Sequence, residues 1–541
     1  MKQAKKGFYW SILFAILTLN LVLFNMILGL LRPIWYDIDK FLGVAIGIST
    51  NWTLGIFIVT VMLIVYSGQQ VYVSIKKIKM NEEYKPKLVG KIALFFVLIV
   101  WNSMLTLLFT ELGSEIAILK LQFIEFLNWI LLIIIFIVLA LFLQITNIWK
   151  NKVVSFAIII VISMLIAWNM INPGPPEVVA GPYLHAPTEN SITVGWITKD
   201  HSVSWVEYGE NGKLDKKAYT TKKGLVGGNQ TVNKIKIEGL EPGKAYDYRI
   251  VSKKIKKQYP YDIKFGKTFY GEVLNFDTLS SDKNEISFLV INDIHENVNL
   301  LTKLLEVEAE KPYDLVVFNG DAFNYVMNET QLIQSFLKPV SELFASEIPF
   351  VFVRGNHETR GKFASQLPDY MDSPNGEYYY SFKHGPAEIL VLDTGEDKKD
   401  DHEEYFGLVD FEAYREKETE WLKELVTTKD YNIADFRVVL SHIPLNEFQM
   451  EERIDPLAMY QKEWAQLLTN GGLDVALSGH YHMNKVFEPK GAVGFPVILG
   501  GGEAYEEGNY SILRVDINRD KIEIRSTDEK GNVTDILKIE K

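Results

Sequence analysis

Hydrophobic and polar positions divide the chain into three stretches with different periods. From residue 8 to about residue 171 the apolar residues come in long unbroken runs. Phe8 to Leu31 carries no charged residue and is long enough to span a hydrocarbon layer of ~30 Å at ~1.5 Å per residue. Similar runs follow at roughly 51–75, 91–110, 124–146 and 153–171. This pattern predicts an α-helical membrane bundle of about five transmembrane helices over residues 1–172. The second stretch, 173–280, opens on Pro173-Gly174-Pro175-Pro176 and then alternates. Ser191 to Ile197, Val203 to Tyr208, Lys234 to Glu238 and Tyr246 to Ile250 have period two, with Trp196 pointing inward beside Ile192 and Val194. Short alternating strands separated by turns such as Gly239-Leu240-Glu241-Pro242-Gly243 predict a β-sandwich. In the third stretch, 281–541, short apolar strands alternate with helical stretches at Val298–Glu310, Thr330–Phe344 and Glu412–Leu425, which predicts an α/β domain.

Charge sets an orientation for the first stretch. Lys76, Lys77, Lys79, Lys85, Lys87 and Lys91 lie between the second and third runs, and Lys150 and Lys152 between the fourth and fifth. The positive-inside rule puts these loops and the N-terminus in the cytoplasm. The expected location is then the cell membrane, multi-pass, with the soluble domains extracytoplasmic and the lipid bilayer as a partner. The runs hold essentially no ionisable residue, which points to an anchor rather than a transporter. The chain has 541 residues, a net charge of −12 and no basic stripe, so no nucleic acid is expected as a partner. Cysteine is absent, so any metal must be held by His, Asp, Glu or Asn.

Candidate chemistry gathers where the strands of the third stretch end. Ile286 to Asn292 leads to Asp293-Ile294-His295, and Tyr313 to Asn319 to Gly320-Asp321. Phe350 to Val353 leads to Gly355-Asn356-His357-Glu358, Arg437 to Ser441 to His442, and Asp474 to Ser478 to Gly479-His480-Tyr481-His482. In α/β folds this carboxyl edge is where ligands bind. Any one such residue is commonly a cap or a surface group. Five in this order, holding five of the nine histidines, point to a site. Seven Asp, His and Asn ligands with one shared carboxylate suit two ions ~3.5–4 Å apart, which activate water for in-line attack at phosphorus.

This order of motifs resembles the calcineurin-like metallophosphoesterase superfamily. Tyr379-Tyr380-Ser381-Phe382, Val391-Leu392-Asp393-Thr394, Ser441-His442-Ile443-Pro444 and Gly500-Gly501-Gly502 resemble its purple acid phosphatase branch. Trp196, the Gly-Leu-Glu-Pro-Gly turn and Tyr246-x-Tyr248-Arg249 resemble a fibronectin type III-like domain, and Gly181-Pro182-Tyr183-Leu184 looks like the version that precedes purple acid phosphatases. The resemblance implies a two-sheet α/β sandwich as the last domain. It implies a first metal on Asp293, His295, Asp321 and His482, and a second on Asp321, Asn356, His442 and His480, with Asp321 bridging. It gives His357 the role of contacting the phosphoryl group and protonating the leaving oxygen, and makes Glu358 structural support. Purple acid phosphatases have Gly at the position of His295 and a ligating Tyr at the position of Asn324, and Tyr325 here is one residue late. Mn, Fe or Zn without a tyrosinate–iron pair is therefore expected, and a colourless or pale protein; a strong visible charge-transfer band would contradict this. His185, His201, His384 and His402 read as surface residues. The function expected is that of a membrane-anchored dinuclear-metal phosphoesterase acting on phosphate mono- or diesters through metal-activated hydroxide. The alternative is a membrane sensor or scaffold that binds a partner through the sandwich and retains the phosphatase fold for shape.

Overall fold

The structure of the protein, a computed structural model, describes residues 174–445, 456–504, 506 and 508–541. The five expected membrane helices fall on residues 1–172, outside the described residues. Among those described, no helix is long and apolar enough to cross a membrane. The longest regular α-helices, Phe411–Leu425 and Pro456–Asn470, have 15 residues each, ~22 Å at ~1.5 Å per residue against a ~30 Å layer. The expected fold class is corrected accordingly: the described residues form a β-rich α/β fold with no helical membrane bundle, and the expected bilayer contact finds no support in them.

Two sheets face each other in the last domain. The first holds Glu285–Ile291, Leu315–Asn319 and Phe350–Val353 side by side and parallel. Ser511–Asn518, Lys521–Asp528 and Val533–Glu540 extend it as an antiparallel meander. The second runs Tyr380–His384, Ala387–Leu392, Phe436–Ser441, Val475–Ser478, Val497–Leu499 and Lys485–Phe487, with its middle four strands parallel. These strands are apolar at nearly every position because both faces of each sheet are covered. Phe288, Val290, Val317 and Val351 meet Ile389, Val391, Val438 and Leu477 between the sheets. Leu289, Val316, Phe318 and Phe352 turn outward onto the helix Val298–Val307 and the helical stretch 329–345. Leu390, Val439 and Ala476 turn outward onto Leu422, Trp464 and Leu468 of the two long helices.

The sandwich holds Trp196, Ile192, Val194, Tyr246 and Tyr248 in its core, as the alternation predicts. The first two expected strands are a single one, Ser191–Gly209, whose register shifts between Ile197 and Ser202. The sandwich is not a separate spacer. Its first strand, Val178–His185, joins the edge of the first catalytic sheet, parallel to Phe350–Val353 with His185 opposite Phe350. One sheet of 13 strands therefore runs through both parts. Ala180, Tyr183 and Ile197 pack into the same core as Phe350 and Val340. The Tyr183 and Tyr248 hydroxyls donate to the carbonyls of Tyr370 (2.8 Å) and Ser346 (2.5 Å). Lys234 bonds the carbonyl of Pro368 at 2.5 Å.

Candidate metal centre

The strands of both sheets deliver their polar ends to one place. To do so the chain turns abruptly after each strand. Asp293, His295, Asp321, His480 and His482 all have positive φ, between 46° and 72°. Left-handed backbone at a non-glycine residue costs on the order of 1–3 kcal/mol and persists where the surroundings over-determine it. Here the constraints are visible. The Asp293 and His295 amides donate to the carbonyls of Gly320 (3.1 Å) and Asp321 (3.0 Å). The His480 amide donates to the Asp293 carboxylate at 3.0 Å.

The side chains so placed form two groups that share one carboxylate. In the first, His482 Nε2 lies 3.5 Å from Asp293 Oδ1 and 3.2 Å from His295 Nε2. In the second, His442 Nε2 lies 3.1 Å from both Asp321 Oδ2 and Asn356 Oδ1. His480 Nδ1 is 3.1 Å from the same Asn356 oxygen. Asp321 clusters with His295 and His357 on one side and with His442 and His480 on the other. Asp293 and His442 are fully buried, and Asp321 is 2% exposed.

A second layer fixes these groups. The His442 and His295 rings donate from Nδ1 to the carbonyls of Asn319 (3.0 Å) and Phe323 (3.3 Å), so each Nε2 faces the pocket. His482 does the same through Nδ1, 3.2 Å from Glu503. Glu358 is buried under the pocket and accepts from the amides of Asp321, Phe323 and Gly355 at 2.9, 3.1 and 2.7 Å. It is the support that the sequence suggests. Two glycines are required by close approach. A Cβ on Gly320 would lie 2.3 Å from His442 Nδ1, and one on Gly355 would lie 2.3 Å from Asp321 Oδ1.

Burial and the carboxylates compete in the electrostatics. Burial works against ionisation at both His442 and Asp321. The mutual attraction of the two groups outweighs it, lifting His442 to about 10 and holding Asp321 well below the usual carboxylate range. The hydrogen bond to Asp293 raises His482 to about 9. Burial and the adjacent cationic His442 lower His480 to about 4. Burial and the Asp321 charge raise Glu358 to about 7. Buried carboxylates locked onto imidazoles, with ring nitrogens turned inward by carbonyls behind them, are what divalent ions bind. The residues present fit two such ions, and the donor set of nitrogen and oxygen without sulfur suits Mn, Fe or Zn.

The structure brings all eight predicted site residues to one pocket. It also moves others. Asn324, at the position of the purple acid phosphatase tyrosine, accepts the His357 Nδ1 proton through its backbone carbonyl at 2.6 Å. His357 Nε2 is left facing Asp321 Oδ2 at 3.9 Å. The Tyr325 ring lies beside the His357 ring, tilted to it by 36°. His185 and His384 are buried rather than exposed, each 1% accessible. Their Nδ1 atoms accept the backbone amides of Asp372 (3.0 Å) and Ser280 (3.2 Å). Glu503 was not singled out in the sequence, whereas the acidic loop 396–407 reads there as a stretch that borders the pocket. Glu396 is buried and grips Arg360 at 2.7 Å, and Asp397 and His480 sense each other's charge. The Gly500-Gly501-Gly502 run just before Glu503 was the available signal.

Comparison with known proteins agrees with this geometry. Residues 286–484 match the family described as calcineurin-like phosphoesterase, and residues 182–264 match the purple acid phosphatase N-terminal domain. The serine/threonine-protein phosphatase CPPED1 of Mus musculus is 26% identical over 159 residues, 29% of this chain and 47% of that protein. The chain thus spans about half the length of the curated relatives it matches. Acid phosphatase type 7 of Homo sapiens is 24% identical over 268 residues, 47% of this chain and 56% of that protein. The purple acid phosphatase PPD1 of yellow lupin seeds shares the fold with a TM-score of 0.51 at 16% identity, covering 68% of this chain and 75% of that one. By these matches and the two-sheet fold, residues 286–484 are similar to a calcineurin-like phosphoesterase domain and residues 182–264 to a purple acid phosphatase N-terminal domain.

Proposed function

We propose that this chain hydrolyses phosphate mono- or diesters in the pocket between the strand ends. The reading is carried by the Asp321 carboxylate, shared between two groups of ligands with His357 beside it. The first metal would be held by Asp293, His295, Asp321 and His482, and the second by Asp321, Asn356, His442 and His480. Ions so held supply a nucleophilic water near neutral pH and positive charge for the phosphoryl oxygens. The chain's own residues do the rest. His357 is fixed by the Asn324 carbonyl with its Nε2 free, and neutral imidazole in that tautomer accepts a hydrogen bond there. After taking up a proton it donates to the phosphoryl group or the departing oxygen. Glu358 holds the Asp321 backbone amide, and the His357 amide donates to Asp321 Oδ1 at 3.0 Å and fixes the carboxylate. The relatives' names, a serine/threonine-protein phosphatase and an acid phosphatase, support a phosphate ester as substrate.

The test is turnover by the full-length chain, stripped and reloaded with Mn, Fe or Zn, on a phosphomonoester and a phosphodiester. We expect metal-dependent hydrolysis, lost by more than ~100-fold in Asp321→Asn, since outer-shell changes alone cost ~10–100-fold. His357→Ala should lower kcat by ~10²–10⁴-fold, the usual worth of a general acid. A folded, metal-loaded chain that hydrolyses neither ester would overturn the proposal.

A further inference from the structure

Tyr325 stands at the pocket mouth with no structural task that accounts for it. Its ring is 52% exposed. Among the described residues its hydroxyl has no hydrogen-bond partner. It lies 5.7 Å from the His357 ring centroid, tilted by 36°. An exposed aromatic ring at the edge of a polar site leaves a large apolar face in water.

The backbone that carries the ring is nevertheless held in place. Its own carbonyl accepts from Gln331 Nε2 at 2.7 Å. On one side the Asn324 carbonyl accepts from His357, and on the other the Val326 amide donates to the Arg360 carbonyl at 2.8 Å. The segment 324–326 is thus clamped to both ends of the turn that carries His357. A ring carried on a fixed backbone segment loses less freedom when a ligand stacks on it than one on a mobile loop.

We infer that Tyr325 is a specificity-determining residue that stacks on the leaving group, and that the preferred substrates are phosphate esters with a flat aromatic leaving group. The inference rests on the phosphoesterase reading above and deepens it. A leaving oxygen that collects its proton from His357 departs toward that ring. The group attached to the oxygen then emerges beside Tyr325. A flat π-face gains there what a saturated ring of the same size cannot, because offset stacking demands a planar partner.

Binding of phenylphosphonate and cyclohexylphosphonate to the metal-loaded full-length chain, measured by calorimetry, separates stacking from reactivity. Tyr325→Leu is expected to weaken phenylphosphonate by about three- to tenfold, the range of an aromatic pair, and to leave cyclohexylphosphonate within about twofold. Tyr325→Phe should restore the preference. In turnover of phenyl phosphate Tyr325→Leu should raise KM more than it lowers kcat, since stacking acts equally before and at the transition state. A phenyl-to-cyclohexyl ratio unmoved by Tyr325→Leu, or both ligands weakened alike, would overturn the inference. A Tyr325-dependent ratio in a wild-type chain that hydrolyses no ester would keep the stacking and overturn the phosphoesterase reading instead.

Discussion

At the scale of single residues the pocket depends on groups that never face a substrate. Glu358 is the clearest. Its carboxylate collects three backbone amides and thereby sets the turn at Asp321 and the turn at Gly355 together. Glutamine would keep the shape but turn an NH₂ group toward amide donors. Glu358→Gln should therefore weaken metal binding by ~10–100-fold, the range for outer-shell changes, while the chain still folds. Metal titration followed by calorimetry checks this, and unchanged affinity would make Glu358 a bystander. Most of this scale was legible in the sequence. Asp, His and Asn after apolar runs stand out because nothing in a strand end calls for them. The buried state of His185 and His384 was not legible. Each accepts an amide from a distant segment, and such a partner leaves no trace nearby in the chain.

At the scale of elements, each strand end is a device for aiming one or two side chains. The left-handed turns at Asp293, Asp321 and His480 reverse the chain within a residue or two, so that ligands point back over the sheet edge. Gly355 serves a neighbour rather than its own backbone. A methyl there would meet Asp321 Oδ1 at 2.3 Å and the Asp321 nitrogen at 2.5 Å, and backbone cannot yield cheaply. Gly355→Ala should destabilise the domain by ~1–3 kcal/mol, as overpacking does, and weaken metal binding as well. Denaturant melts of the metal-free and metal-loaded forms measure both, and a variant that matches wild type in the two would remove the crowding argument. The five strands that carry the site and the helices Val298–Val307 and Phe411–Leu425 were readable from their periods to within a few residues, whereas the helix Pro456–Asn470 and the strands after residue 510 were not read. The single strand Ser191–Gly209 was not, because polar Asp200 and His201 at its register shift look like a turn.

At the scale of the whole molecule the two described domains behave as one body. The joint includes His185, buried opposite Phe350 between the two. Its imidazole is held well below the usual range, to about 3, chiefly by burial and secondly by Lys234. A base with a depressed folded value contributes stability above its unfolded value of ~6.5, and that contribution is lost as pH falls toward 3 because the unfolded chain takes up the proton first. Between about pH 6.5 and 3 wild type should lose stability faster than His185→Gln, by up to one proton, ~1.4 kcal/mol per pH unit. Urea midpoints across that window check this. Parallel slopes for the two proteins would mean that His185 charges freely in the folded state. The junction itself was invisible in the sequence, since Val178–His185 alternates as any sandwich strand does. Its true neighbour lies far along the chain.

That shared sheet has a mechanical consequence. A strand edge stitched to its neighbour, with hydroxyls and an ammonium pinned to carbonyls across the seam, works as a welded beam rather than a hinge. The span from residue 174 to the pocket is then a fixed ruler. Rocking one domain on the other would break these bonds, so room for a substrate comes at lower cost from the loops at the strand ends.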